Sequence, residues 1–192
     1  PVKHITTGEG GMCLTRDAAL ASAMRFFRNH GITTTASQRE KTGGWFYEMT
    51  DLGYNYRITY IQCALGSSQI VKLPGWLEKR KALACTYDAA FAGTVVRPLA
   101  CRNDSSHAYH LYIVRTPARD AVYKRLSESG VRANVHYIPV YLHPYYRNIG
   151  YSEGLCPIAE SAYASILTLP LWAGMDTNQL DFVSSCIFNT IR

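Results

Sequence analysis

The sequence contains no CxxC pair, no apolar run longer than a few residues, no sustained heptad and no internal repeat. The first absence argues against a zinc ribbon or a thioredoxin-type redox motif. The second excludes a membrane-spanning helix. The others exclude coiled-coil, collagen and repeat architectures. Charge is sparse, at 18% of the residues, and Lys79-Arg80-Lys81 is the one dense basic cluster. A net charge of +6 then fits either a mildly basic soluble protein or one that takes an anionic ligand such as a phosphate or a nucleotide. Neither a nucleic-acid nor a membrane partner is expected.

What is present is a globular composition, with 47% hydrophobic residues in a chain of 192. That length suits one ordinary domain or parts of two small ones. The six cysteines, Cys13, Cys63, Cys85, Cys101, Cys156 and Cys186, are expected to be free and mostly buried, in the reducing cytoplasm.

Periodicity and punctuation outline the elements. Residues 11–15 read as a short buried strand. A helix is expected over 17–29, capped by Asp17 or Thr15, with Leu20, Ala23, Met24 and Phe27 on one face. Residues 32–53 read as a long loop with an aromatic patch at Trp45-Phe46-Tyr47. A second helix is expected over 59–71, ended or bent by Pro74, and a third over 75–91. Beyond it, strands at 94–98, 109–115 and 131–140 alternate with helices at 117–129, 156–167 and 176–191. Asp176 and Gln179 stand at capping-box positions for the last helix. Such alternation indicates an α/β or α+β unit, with a boundary inside the third helix.

The chemistry-bearing residues are few. Lys3 stands before a Thr-Thr turn and the glycines Gly8, Gly10 and Gly11. On spacing alone this is a tight turn with a solvated lysine, and the glycines do not form a Walker loop. His107 and His110 fall three apart on an expected strand and so face opposite sides, which discounts a metal site. Strand alternation over 131–140 sends Asn134 and His136 to one face and Tyr137 to the other.

Three ordered segments carry a resemblance. Val2-Lys3-His4-Ile5-Thr6-Thr7-Gly8-Glu9-Gly10-Gly11 is similar to the lysine segment of the DegT/DnrJ/EryC1/StrS family of sugar aminotransferases. Gly53-Tyr54-Asn55-Tyr56-Arg57-Ile58-Thr59, followed by Ile61-Gln62-Cys63-Ala64-Leu65-Gly66 and Gln69, resembles a second family segment. Val135-His136-Tyr137-Ile138-Pro139-Val140-Tyr141 resembles a third. Two departures stand out: Tyr60 replaces the family's usual acid, and Cys63 replaces a usual Ala or Ser. The first removes a salt-bridge partner and puts the local geometry in question.

The resemblance implies an α/β fold, the C-terminal portion of the fold type I class of pyridoxal-phosphate (PLP) transferases. Residues 1–75 would end the large cofactor-binding domain, 76–92 would be a linking helix, and 93–192 would form the small C-terminal domain. It implies PLP as cofactor, held covalently by Lys3, whose freed amine then acts as general base. Asn55 would reach the cofactor phosphate and the substrate across a homodimer with shared active sites; otherwise it is a turn residue at a helix start. Arg57 would pair with a carboxylate or phosphate, or else form a structural ion pair. Asn134, Val135, His136 and Tyr137 would line the sugar-nucleotide pocket; for His136 the alternative is a satisfied core histidine. The implied reaction moves an amino group from L-glutamate to a UDP-linked 4-keto-6-deoxy sugar, for surface polysaccharide or glycan biosynthesis. Other expectations are an aminotransferase for 4-keto-arabinose or perosamine, or a folded fragment without catalysis. Family members run to about twice this length, so the chain is expected to be the back half of an enzyme and inactive alone.

Overall fold

The structure, a computed structural model, describes residues 3–191. Pro1 and Val2, which open the lysine motif, lie outside the described residues. The chain divides into two units, Pro1–Val71 and Lys72–Arg192.

The first unit is built from locally specified pieces. Helix α1 (Ala18–Phe27) starts where Asp17 accepts from the backbone N–H groups of Ala19 and Leu20, as its sequence predicts. Helix α2 (Ala36–Thr42) opens with a reciprocal Thr35–Gln38 capping box and ends at Gly43 in the left-handed conformation. It corrects the reading of 32–53 as a plain loop. The flanks of α2 are joined by an Ile32–Met49 bridge and by a bond from Thr33 N–H to the Glu48 carbonyl at 2.9 Å. Helix α3 (Tyr60–Ile70) opens with a second capping box, Thr59 with Gln62. That box does not involve position 60, so Tyr60 leaves the helix start intact. Residues 11–15 form no strand, and Met12 and Leu14 are exposed. A strand needs a laddered neighbour, and no pairing reaches these residues among the described ones. Gly31 is the one buried residue among the described residues of this unit.

The second unit has a core of its own. Helix α4 (Leu73–Phe91) carries Pro74 in its first turn, where a missing N–H costs nothing. Pro74 therefore starts α4 instead of ending α3. Leu83, Ala84, Tyr87 and Phe91 of α4 are buried. Strands β1 (Arg97–Pro98), β2 (Tyr112–Arg115) and β3 (Ile166–Leu169) form an antiparallel sheet in the order β1-β2-β3. Tyr112 pairs with Leu169 and Val114 with Leu167. Helices α5 (Arg119–Glu128) and α8 (Thr177–Ile191) pack on each other, α8 also on α4, and α5 on β3. The core joins Tyr87, Phe91, Val114, Leu126, Leu167, Leu180 and Ile187. Asp176 and Gln179 make their reciprocal cap at 2.8 and 3.1 Å. Two short helices, α6 (Pro144–Asn148) and α7 (Pro157–Ser165), complete the unit.

Several expectations change here. Helix α7 stops at Ser165, and Ile166 and Leu167, read from sequence as its end, open β3. Residues 131–140 form no continuous strand; Asn134 alone bridges to Thr168. The cysteines are free, but Cys13, Cys85, Cys101 and Cys156 are exposed and only Cys186 is buried, against the expectation of mostly buried thiols. The strands expected over 94–98 and 109–115 are also shorter, since β1 and β2 have two and four residues.

Candidate active site

Lys3 is exposed and lies in a bend, at the head of a segment without helix or strand. The segment is nonetheless well organised. The Thr6 side chain accepts from Gly8 N–H at 3.0 Å, and the Thr7 hydroxyl donates to the Glu9 carbonyl at 2.9 Å. Helix α3 then grips it from outside. The Gln69 side chain accepts from Thr6 N–H at 3.1 Å and donates to the Thr6 carbonyl at 2.7 Å. Gln62 donates to the Glu9 carbonyl at 2.8 Å while its own oxygen serves the Thr59 cap. Both glutamines belong to the second family-like segment, so the structure joins two motifs that lie about 60 residues apart in sequence.

Asn55 and Arg57 meet each other. The Arg57 Nε donates to Asn55 Oδ1 at 3.0 Å, and its Nη1 donates to Asn29 Oδ1 at 3.2 Å. Asn29 and Asn55 are also bridged through their backbones. Asn29 carries no motif signal; only its pairing with position 55 reveals it. Beside this cluster, the rings of Tyr54 and Tyr56 stack at 5.0 Å and Phe27 packs on both. The guanidinium thus pairs with neutral amides, and its positive charge has no carboxylate partner among these bonds.

Asn134, Val135, His136 and Tyr137 lie in the second unit. His136 Nδ1 is 2.8 Å from Thr168 Oγ1, and its Nε2 is 3.5 Å from the Asn134 amide. His136 is half-buried, and Thr168 on β3 is buried. Thr168 also exchanges both backbone bonds with Asn134, at 2.7 and 3.1 Å. Val135 packs against the core, and Tyr137 is exposed. Asn134 and His136 share a side, as expected, through one bridge and a side-chain bond instead of a strand ladder. Tyr137 does not take the opposite face, since its ring lies 4.5 Å from that of His136. Thr168 was not singled out from sequence, where it lay just past the end of an expected helix. A recess of about 690 Å³ opens beside Asn134, lined also by Tyr123, Arg132 and Ser127.

The donor set of the first unit suits a phosphorylated aldehyde. It offers an exposed primary amine at Lys3 and a guanidinium held by neutral partners at Arg57. It also offers an amide at Asn55 whose oxygen is engaged and whose NH2 end remains a donor. No helix among the described residues is long and apolar enough to cross a membrane.

Comparison with known proteins identifies the family. The profile of the DegT/DnrJ/EryC1/StrS aminotransferase family matches residues 1–188. The spore coat polysaccharide biosynthesis protein SpsC of Bacillus subtilis is 32% identical over 201 residues, covering 99% of this chain and 51% of that protein. The UDP-4-amino-4,6-dideoxy-N-acetyl-β-L-altrosamine transaminase of Helicobacter pylori is 30% identical over 197 residues, covering 100% of this chain and 50% of that protein. A Streptococcus pneumoniae protein described as a sugar aminotransferase, solved in its PMP form, superposes with a TM-score of 0.82 at 27% identity, over 94% of this chain and 47% of its own. The same protein is also known in a PLP form. The fold is that of the fold type I class, and the chain spans about half the length of the curated relatives it matches.

Proposed function

Because the chain belongs to the DegT/DnrJ/EryC1/StrS aminotransferase family, we propose that it forms part of a PLP-dependent nucleotide-sugar aminotransferase in which Lys3 bears the cofactor. The observation that carries this reading is the exposed Lys3 at the head of a segment clamped by α3. The activity is assigned to the whole protein, not to these residues by themselves. In domain terms, residues 1–75 would close the cofactor-binding domain and 93–192 would form the small domain, with 76–92 as the link.

Bound PLP supplies an aldehyde that condenses with amines and a ring that accepts electron density from the bond being broken. The chain's own residues do the rest. Lys3 Nζ would hold the cofactor and, as a free amine, would move a proton at the donor carbon. Arg57 and Asn55 supply donors for phosphate or carboxylate oxygens, and Asn55 does so for the site of a second subunit in a homodimer. In the second unit, Asn134, Val135, His136 and Tyr137 line the side that takes the sugar nucleotide. Thr168 holds the His136 ring in one orientation.

For the substrate we assign a UDP-linked 4-keto-6-deoxy sugar, with L-glutamate as donor and a surface glycan as destination. The support is the name of the Helicobacter pylori relative, a UDP-sugar transaminase, and the polysaccharide role in the name of the Bacillus subtilis one. Borohydride reduction in the presence of PLP, followed by peptide mapping, tests the cofactor reading. One adduct at Lys3, lost in Lys3→Ala, is expected; adducts spread over surface lysines such as Lys79 and Lys81 would overturn it. Formation of 2-oxoglutarate from L-glutamate alongside amination of the keto sugar tests the substrate pair.

A further inference from the structure

We propose that Gln62 and Gln69 are positioning residues for Lys3, an inference that rests on Lys3 being the cofactor-bearing residue. Positions 62, 66 and 69 stand at i, i+4 and i+7 on α3 and therefore share one helical face. All three meet the segment that follows Lys3. Gln69 binds both backbone groups of Thr6, at 3.1 and 2.7 Å. Gln62 holds the Glu9 carbonyl at 2.8 Å. Between them, a side-chain carbon added at Gly66 would lie 3.0 Å from the Thr7 methyl, so the bare backbone there lets the segment lie close.

The choice of residue type follows from chemistry. A primary amide presents one donor end and one acceptor end in the plane of a peptide group. It can therefore pair with both sides of a residue's backbone, as a neighbouring strand would. A glutamate at 69 would keep the acceptor and lose the donor; a leucine would lose both. The segment needs such a partner. It has neither helix nor strand, has no buried residue, and holds Gly8 and Gly10 at φ of 83° and 153°, where glycine is most permissive. With its two ends clamped, the backbone three residues beyond Lys3 has one course. The lysine then leaves a fixed base toward the cofactor aldehyde, which is the condition for a near-attack geometry.

The test compares the unsubstituted protein with Gln69→Leu, Gln69→Glu and Gln62→Leu. Amide exchange at Thr6 is read without PLP, and borohydride-trapped labelling is read with it, as the rate at Lys3 relative to Lys79. Thr6 exchange is expected to rise, and relative Lys3 labelling to fall by about ten- to hundredfold in Gln69→Leu, with Gln69→Glu intermediate. Exchange in residues 72–191 is expected to stay unchanged, which separates loss of the clamp from unfolding. If α3 itself loses protection in Gln69→Leu, the Gln69→Glu protein decides. Labelling of Lys3 at the unsubstituted rate in Gln69→Glu and Gln62→Leu would overturn the positioning role alone. Failure to label Lys3 in the unsubstituted protein would overturn the cofactor reading, and this inference with it.

Discussion

The Tyr112 hydroxyl donates to Asp88 at 2.7 Å, tying the central strand β2 to helix α4. Tyr112 is buried and its ring stacks on Tyr87 at 4.8 Å, whereas Asp88 is exposed. Water can therefore replace the phenol at the carboxylate, and the bond's net worth is modest. Tyr112→Phe is expected to lower the stability of the second unit by about 1 kcal/mol. Asp88→Asn should cost less than Asp88→Ala, and the effects of Tyr112→Phe and Asp88→Ala should not add. Chemical denaturation of the three single variants and the double variant checks this.

The same cluster sets an alkaline limit. Burial pushes the phenol of Tyr87 up, and burial followed by the Asp88 bond pushes that of Tyr112 up. Tyr109 is pushed up to about 12, mainly by burial and then by its contact with Cys101. Each raised group binds its proton more tightly folded than unfolded. Their contribution is complete below the ordinary tyrosine value of 10.0 and is lost as pH rises beyond it. Stability of the second unit should fall above that pH, and tyrosinate absorbance should appear together with unfolding. Titration of Tyr87 and Tyr112 in the folded protein, with no loss of structure, would contradict this.

Two glycine substitutions should act in opposite directions. A side-chain carbon at Gly53 would lie 2.1 Å from the Gly31 nitrogen and 2.8 Å from the Phe27 carbonyl. Gly53→Ala is expected to cost roughly 2 kcal/mol or more and to speed amide exchange over residues 27–54. Nothing lies within 4 Å of the same atom at Gly75, in the first turn of α4. Gly75→Ala is expected to stabilise by about 0.5–1 kcal/mol, read as a higher melting temperature.

Arg57→Lys separates charge from geometry. A lysine keeps the charge but cannot serve Asn55 and Asn29 through two nitrogens as Arg57 does. Both Arg57→Lys and Arg57→Ala are expected to weaken PLP retention by about tenfold, with little change in melting temperature because the site is exposed. Equilibrium dialysis against PLP gives the number.

Thr168→Val removes the His136 partner without touching the backbone bonds that Thr168 makes to Asn134. If this stretch faces the sugar nucleotide, KM for the sugar should rise severalfold while kcat changes little. An equal fall in kcat would place His136 in the chemistry instead.

Capping chemistry made two helix starts legible: Asp17, and Asp176 with Gln179, stand where their sequence places them, whereas the box of Thr59 with Gln62 went unread. Thr35 and Gln38 obey the same rule and open α2, but the surrounding polar residues masked the signal. Ile166 and Leu167, which open the apolar run Ile166-Leu167-Thr168-Leu169, were read as the end of a helix. All four residues are buried, and a run buried on both faces has no period by which strand and helix differ. Residues 131–135 alternate in burial like a strand, because Val131, Ala133 and Val135 face the core. Only Asn134 finds a ladder partner there, and no side-chain pattern reports where a backbone bond is missing. The candidate site was legible as motifs. Its supports, Asn29, Thr168 and the two glutamine clamps, are long-range pairings, which one sequence does not encode locally.

The two units hold their order by different means. The second buries a connected core. In the first, Gly31 is the one buried residue among those described, and order rests on caps, amide clamps and the close approach of Gly31 and Gly53. The heat capacity gained on unfolding follows the apolar surface newly exposed to water. Melting of residues 3–71 in this chain exposes little that is not already wet. A calorimetric trace should therefore carry nearly all of its heat-capacity step, and most of its sharpness, from the second unit. The first would register as a shallow slope beneath it.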